Sequence, residues 1–341
     1  MPDKEISKPI VILFVLAAIV IIISGMKAAK DIIIPFLLSG FVAIICGPSL
    51  LWLKKKGLNN SIAILVVVAT VSVAGLLVAA LVGNSVNDFA QDLQLYQTKF
   101  DGLIASLAVL LGKVGISIEK NALAGYIDPG AAMHLVSEVF SGFGNALSNA
   151  FIIILTIIFI LLESSSFRPK IKTAFGKPGF SMTGFDTFIT SINQYMAIKT
   201  WVSLATGVFV AGWLAILKVD YPLLWGLLAF LLNYVPNIGS IIAAIPAVLL
   251  ALIQFGLIKA LLAAGGFAFV NIIIGNVVEP RFMGKGLGLS TLVVFISLAF
   301  WGWVLGPVGM LLSVPLTMTV KIALASNDET SWLATLLGPA D

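Results

Sequence analysis

Asn233, Asn237 and Ser240 crowd a helix-breaking run, Tyr234-Val235-Pro236-Asn237-Ile238-Gly239, inside an otherwise apolar stretch. Asn271 and Asn276 follow on the next apolar segment, which ends in Glu279-Pro280-Arg281. Amides and hydroxyls both donate and accept hydrogen bonds, so beside unwound backbone they suit a solute rich in hydroxyl and carbonyl groups. The plainer role of an Asn in an apolar helix is to hold helices together, worth about 0.6 to 2 kcal/mol per contact. Five polar groups near one break exceed what adhesion alone requires.

Glu279 is the charge of most interest. An acid at mid-bilayer costs roughly 2.5 to 3.5 kcal/mol on insertion scales, which favours a place at the cytoplasmic edge and a pairing with Arg281 or Lys285. A structural ion pair is the base reading, and a proton-coupling or gating role is the sharper one. Asp31 and Asp220 read as solvated ends of tight external loops, and Glu163 as the interfacial end of a span.

These groups must be positioned by membrane helices. Hydrophobic residues make up 60% of the chain and charged residues 11%, against roughly 25% charged in a soluble domain. The fold class expected is therefore all-α, a polytopic helical membrane protein. The pI near 9.1 does not indicate nucleic acid, because the basic residues form short clusters beside apolar segments, as in cytoplasmic loops. Lys4 and Lys8 precede an apolar run, but Ser24-Gly25-Met26-Lys27 is a poor match to a cleavage site, so the run reads as a retained first helix.

Apolar segments fall at 9–26, 32–53, 62–83, 150–162, 200–217 and 260–278, most near the roughly 20 residues a span needs. Two hairpin-like regions, 222–255 and 291–325, flank the last, giving about eight membrane elements. The first has arms 223–235 and 238–255 around Pro236 and Gly239, with Pro246 beyond; the second has arms 292–305 and 308–325 around Gly306 and Pro307, with Pro315 beyond. The shorter arms reach only about 20 Å at about 1.5 Å per residue, less than a hydrocarbon core of about 30 Å. Re-entrant or broken hairpins are therefore favoured over pairs of full spans.

If the N-terminus is cytoplasmic, 13 of the 20 Lys and Arg residues fall on inside segments, and short outside loops carry 4, with Lys27 and Lys30 against the trend. The charge rule then favours that orientation. One span lies between the hairpins, so they open to opposite sides, which is the signature of an inverted repeat with a site between its halves. The bland alternative is a pair of Pro-kinked helices, which membranes tolerate.

The segment 84–149 is long and polar enough to stand outside the bilayer. Val86, Phe89, Leu93, Tyr96, Phe100, Leu103, Leu107 and Leu110 follow 3-4 alternation, an amphipathic helix. Its seam meets either a second stripe at Met133, Val136, Phe140, Phe143 and Leu147, or the same helix of another subunit. The chain thus divides into a three-helix region at 1–83, extracytoplasmic helices at 84–149, and a transport region at 150–341.

The sequence lacks the usual marks of an enzyme. It contains no G-x-x-x-x-G-K-[ST], H-E-x-x-H, C-x-x-C or G-x-S-x-G. Cys46 is the single cysteine and His134 the single histidine, which leaves no intrachain disulfide and no histidine pair for a metal. An intramembrane protease would lack its His or paired Asp. No cofactor is expected.

The runs Tyr221-Pro222-Leu223-Leu224-Trp225-Gly226 and Leu232-Asn233-Tyr234-Val235-Pro236-Asn237-Ile238-Gly239-Ser240 resemble the autoinducer-2 exporter family of bacterial permeases. So do Ile274-Gly275-Asn276-Val277-Val278-Glu279-Pro280-Arg281-Phe282-Met283-Gly284 and Phe300-Trp301-Gly302-Trp303-Val304-Leu305-Gly306-Pro307 with Pro315-Leu316-Thr317. The resemblance covers essentially the whole chain. It is nearest to the autoinducer-2 exporter branch, where Glu-Pro-Arg follows the Gly-Asn pair, as also at Gln194-Tyr195-Met196-Ala197-Ile198-Lys199-Thr200. Many other members carry an acidic residue where Ile274 stands. The resemblance implies a multi-pass inner-membrane transporter exporting a small polyol-like signal molecule, and a homo-oligomer such as a pentamer. The family also includes members described as sodium or lithium/proton antiporters, so cation exchange stays open, as does a non-transporting scaffold.

Overall fold

The computed structural model describes residues 8–113, 149–175, 182–236, 238–279, 281, 288–325 and 329–338. They are almost wholly helical, with no strand among the described residues. In chain order the helices are α1 Lys8–Ala28, α2 Lys30–Lys55, α3 Asn60–Lys113, α4 Ala150–Phe175 and α5 Met182–Leu217. There follow α6 Pro222–Leu232, α7 Gly239–Phe255, α8 Leu257–Val270, a π-helical stretch Asn271–Val278, α9 Thr291–Ala325 and α10 Ser331–Leu336. Five helical stretches of the described chain are long and apolar enough to cross a membrane, with shorter apolar helices among them.

Local chemistry explains the ends. Gly57 adopts φ 93° after α2, and the amides of Gly57 and Leu58 donate to Lys54 O and Leu53 O, the paired bonds that satisfy orphan carbonyls at a helix C-terminus. At the end of α5 the same pair of bonds forms from Lys218 and Val219 to Ala215 O and Leu214 O. Here a lysine takes the left-handed position at φ 63°. Tyr221 is also left-handed, and Pro222 then starts α6, where its missing N–H goes unneeded.

Both breaks are folded as tight hairpins with matching geometry. At the first, a Cβ added to Gly239 would lie 1.8 Å from Leu232 O and 3.0 Å from the Val235 Cβ. At the second, a Cβ on Gly309 would lie 2.0 Å from Trp301 O and 2.8 Å from the Leu305 Cβ. In each, a glycine on the returning arm lies against a carbonyl of the outgoing arm, a closeness that a side chain forbids. Helix α9 is long enough to span, but Gly306 (φ 69°, ψ −151°) turns it back on itself. Its arms are stitched by Ser297 Oγ donating to Ser313 O at 3.0 Å and Trp301 Nε1 donating to Thr317 Oγ1 at 3.0 Å.

The hairpins open to opposite ends of the bundle. Leu217 and Val219 join Trp225 and Leu250 of the first hairpin in one buried cluster, with Tyr221 packed against it, so that hairpin starts at the C-terminal end of α5. Leu289, at the start of the second, packs on Ile192, Tyr195 and Met196, roughly 30 Å back along α5 at 1.5 Å per residue. Helix α8 and its π extension connect those two ends. Lys259 Nζ donates to Leu217 O at 3.0 Å at one end, and Glu279 meets Lys199 at the other.

Helix α3 is one element where the sequence suggested a span followed by a separate external helix. It is 54 residues long, about 80 Å. Phe89 and Tyr96, from the amphipathic seam, are buried in the cluster that holds Leu217, Trp225 and Leu250. This part of the seam therefore packs on the first hairpin, neither of the partners the sequence suggested. The second stripe at 133–147 and His134 lie outside the described residues.

Candidate functional site

Tyr195, Lys199, Ser203 and Thr206 recur at three- and four-residue spacing on α5, which places them on one face, and all four are buried. That face looks onto the first break. Asn233 Nδ2 donates to Ser203 Oγ at 2.9 Å, and the Tyr234 hydroxyl donates to Thr200 Oγ1 at 2.8 Å. Thr200 and Thr206 donate in turn to Met196 O and Val202 O, so the hydroxyls are used within the helix and across to the break.

Two glycines set this register. A Cβ on Gly207 would lie 2.7 Å from Gly226 O, and one on Gly226 would lie 2.6 Å from Gly207 O. Only residues without side chains let α5 and α6 approach so closely, the small-residue packing of membrane helices. From that contact α6 runs back along α5, bringing Asn233 to Ser203.

The two breaks also meet each other. Tyr234 shares one buried cluster with Val308, Leu311 and Leu312, just beyond the second break, with Phe41 and Leu38 of α2 packed against it. Beside the first break, Pro236 and Ile238 face Thr291, Val294, Phe295 and Leu298 of α9 across a cavity of about 260 Å³. It is mainly apolar in its lining, with the polar groups of the site on the α5 side of the break.

The expected site residues divide as follows. Asn233 is tied into the site, and Ser240 and Asn271 are half-buried. Asn237 and the Asn276 side chain lie outside the described residues. Pro236 and Gly239 form the first turn, and Gly306 and Pro307 the second, while Pro246 and Pro315 lie inside the returning arms.

Glu279 requires a correction. Its partner is Lys199, whose Nζ donates to Glu279 Oε1 at 2.6 Å, whereas Arg281 is exposed and Lys285 lies outside the described residues. The Lys199 side chain is 4% exposed and that of Glu279 17%. The apolar run starts only at Thr200, one residue after Lys199, but the helix begins at Met182. The periodicity of Tyr195, Lys199, Ser203 and Thr206 was the available signal.

Asp220 is likewise more than a solvated end. Its Oδ2 accepts from the Tyr96 hydroxyl at 2.8 Å and from Gln254 Nε2, and its carbonyl accepts from Trp225 Nε1 at 2.9 Å. Tyr221 donates to Asp92 Oδ2 at 2.7 Å. These bonds latch α3 to both ends of the first hairpin. Burial, above all, pushes the Tyr96 phenol up to about 12 and raises Tyr221 as well, so both remain donors.

The sequence profile of the AI-2E family transporters matches residues 10–327. The chain belongs to the AI-2E transporter family. Within that family it is 40% identical over 337 residues to the AI-2 transport protein TqsA of Escherichia coli, covering 97% of this chain and 98% of that one. It is 38% identical over 332 residues to a Haemophilus influenzae protein named no more specifically than as a transport protein, covering 96% and 95%. To YhhT of Escherichia coli, named in the same general terms, it is 36% identical over 328 residues, covering 96% and 94%. As an AI-2E protein the chain is a multi-pass membrane permease and not an enzyme, consistent with its helices and its opposed hairpins.

Proposed function

We propose that this protein exports a small, neutral, hydroxyl-rich signal molecule of the autoinducer-2 kind across the bacterial inner membrane, with its N-terminus in the cytoplasm. The site lies where the two broken hairpins meet, and homo-oligomers such as pentamers carry one site per subunit. The observation that carries the reading is the pairing of Asn233 with Ser203 beside a glycine-tight break that borders a cavity facing the other hairpin. Backbone freed at a break and neutral polar side chains together match a polyol, which needs both donors and acceptors and no charge. The name of TqsA supports the substrate class. In this reading residues 1–83 and 84–149 form the scaffold and the external helices around the transport region at 150–341.

Counterflow of labelled autoinducer-2 into proteoliposomes tests the proposal. The wild type is expected to exchange label, and Asn233→Ala to reduce exchange while leaving the cells' cation tolerance unchanged. No exchange by a correctly folded wild type overturns the substrate assignment. A second reading, sodium or lithium exchange for protons, is favoured by the buried Lys199–Glu279 pair. It requires sodium-driven proton movement that Glu279→Gln abolishes. Absence of both fluxes would leave a scaffold.

A further inference from the structure

Helix α2 runs for 26 residues, about 39 Å, so it outspans a hydrocarbon core of about 30 Å and its ends reach the headgroup region. Its last turn and cap carry Lys54, Lys55 and Lys56 in succession, and no acid occurs in the chain from residue 32 to residue 87. The paired bonds at Gly57 and Leu58 fold the chain back at once into α3, so the three cations stand at a tight corner. Leu53 and Leu58 turn inward, packed against the cluster that holds Leu50 and Leu161 of α4. Two residues beyond Leu161, Glu163 pairs with Lys170. None of the three corner lysines has an acidic partner among the described residues.

The outward side of the corner is built in two levels. Leu51 and Trp52 are each 59% exposed, and Lys55 and Lys56 follow four residues later, so each apolar side chain has a cation one turn nearer the water on the same face. Lys56 Nζ lies 5.5 Å from the centroid of the Trp52 ring, within reach of its π face. An exposed tryptophan with lysine just beyond it belongs at the membrane interface, where the ring sits level with the headgroups. The dipole of α2 places only about half a negative charge at this end, which leaves most of the charge of three lysines unmet. Across the turn, Asn60 Oδ1 is enclosed with no hydrogen-bond partner among the described residues. A buried acceptor of this kind calls for a donor from outside the chain.

We infer that the corner between α2 and α3 binds the headgroup of an anionic phospholipid bearing a free hydroxyl, of which phosphatidylglycerol is the simplest. The phosphate meets the ammonium groups of Lys54, Lys55 and Lys56, a headgroup hydroxyl donates to Asn60 Oδ1, and the acyl chains lie along Leu51 and Trp52. A soluble anion gains no contact with the apolar level. A zwitterionic lipid brings its own cation into a cluster that already repels it. The inference is independent of which solute the protein carries. It bears on the transport region because Leu37 and Phe41 of the same helix pack beside the breaks, so a lipid held at the corner sets the depth of the helix on which both hairpins rest.

The test uses the purified full chain in micelles of an uncharged detergent, with thermal unfolding followed as phosphatidylglycerol is added. A ligand that binds only the folded form raises the midpoint with its concentration, which yields an apparent Kd as a mole fraction of lipid. Wild type is expected to bind phosphatidylglycerol more tightly than phosphatidylcholine. Each lysine near a headgroup surface contributes about fivefold. Lys55→Gln and Lys56→Gln, both at exposed side chains, should therefore each weaken binding about fivefold, and Gln at all three positions about a hundredfold. Arg at all three should retain it, and Lys99→Gln, exposed elsewhere on α3, should leave it unchanged. Phosphatidylmethanol, with the same charge and no hydroxyl, should bind wild type more weakly than phosphatidylglycerol, and Asn60→Ala should bind the two alike. Equal binding of phosphatidylglycerol and phosphatidylcholine, or single variants of wild-type affinity, overturns the inference, and the single variants decide it even where the triple variant does not fold. Equal stabilisation by soluble glycerol phosphate overturns the lipid as occupant, and a wild type that binds both anionic lipids alike overturns the Asn60 contact.

Discussion

Replacing Gly239 or Gly309 by Ala tests whether the two breaks are equivalent folded hairpins. The added Cβ would stand 1.8 Å from Leu232 O in one and 2.0 Å from Trp301 O in the other, where contacts under 3.0 Å are essentially never seen. The arms must then separate by at least 3.0 − 1.8 = 1.2 Å and 3.0 − 2.0 = 1.0 Å. Overpacking of this kind costs about 1 to 3 kcal/mol, offset by up to about 1 kcal/mol of helix propensity gained over Gly. The expected net loss is about 1 to 2 kcal/mol for each, similar at the two sites, with reduced solute exchange because the break itself is displaced. Gly212 and Gly265 have nothing within 4 Å of an added Cβ, so Gly212→Ala and Gly265→Ala should be neutral or stabilising. Thermal unfolding of the purified full chain in detergent, with exchange measured in liposomes, reads both. If Gly239→Ala and Gly309→Ala behave like Gly212→Ala, the close approach of the arms is wrong, and with it the paired-hairpin site.

Two further outcomes follow from the charges and phenols. Glu279→Gln alone leaves Lys199 buried without its counter-charge and should lower stability by about 3 to 5 kcal/mol, whereas Lys199→Met combined with Glu279→Leu should recover most of it in the same unfolding assay. Tyr96→Phe removes the hydroxyl that meets Asp220 and should cost about 1 kcal/mol. The Tyr96 phenol is raised from 10.0 to about 12 in the folded chain, so its contribution is complete below about pH 10 and is lost as pH rises towards 12. The difference between wild type and Tyr96→Phe should shrink over that window and be constant below it.

The hairpins were legible because Pro and Gly at a break leave a local mark, and both turns fall where those residues stand. The site was legible only in part. Asn233 was visible as a polar residue among apolar neighbours, but Ser203 and Thr200 belong to a helix some thirty residues earlier, and nothing local announces that pairing. Lys199 was concealed by its position beside the start of an apolar run, where a lysine ordinarily marks the water edge. The π-helical stretch Asn271–Val278 has the composition of ordinary membrane helix, so its geometry comes from packing and not from propensity. Continuity of α3 past Gly83 was also hidden, since a glycine there suggests a boundary while no proline enforces one.

The unbroken length of α3 gives this permease a handle. A helix of about 80 Å is fastened through Asp92 and Tyr96 to Tyr221, Asp220 and Gln254, so a force applied to its C-terminal turns is delivered to both feet of the first hairpin. A nanobody that grips the C-terminal turns of α3 should therefore brake solute flow without ever reaching the membrane interior, and a flexible insertion of glycines between the grip and the latch should release that brake.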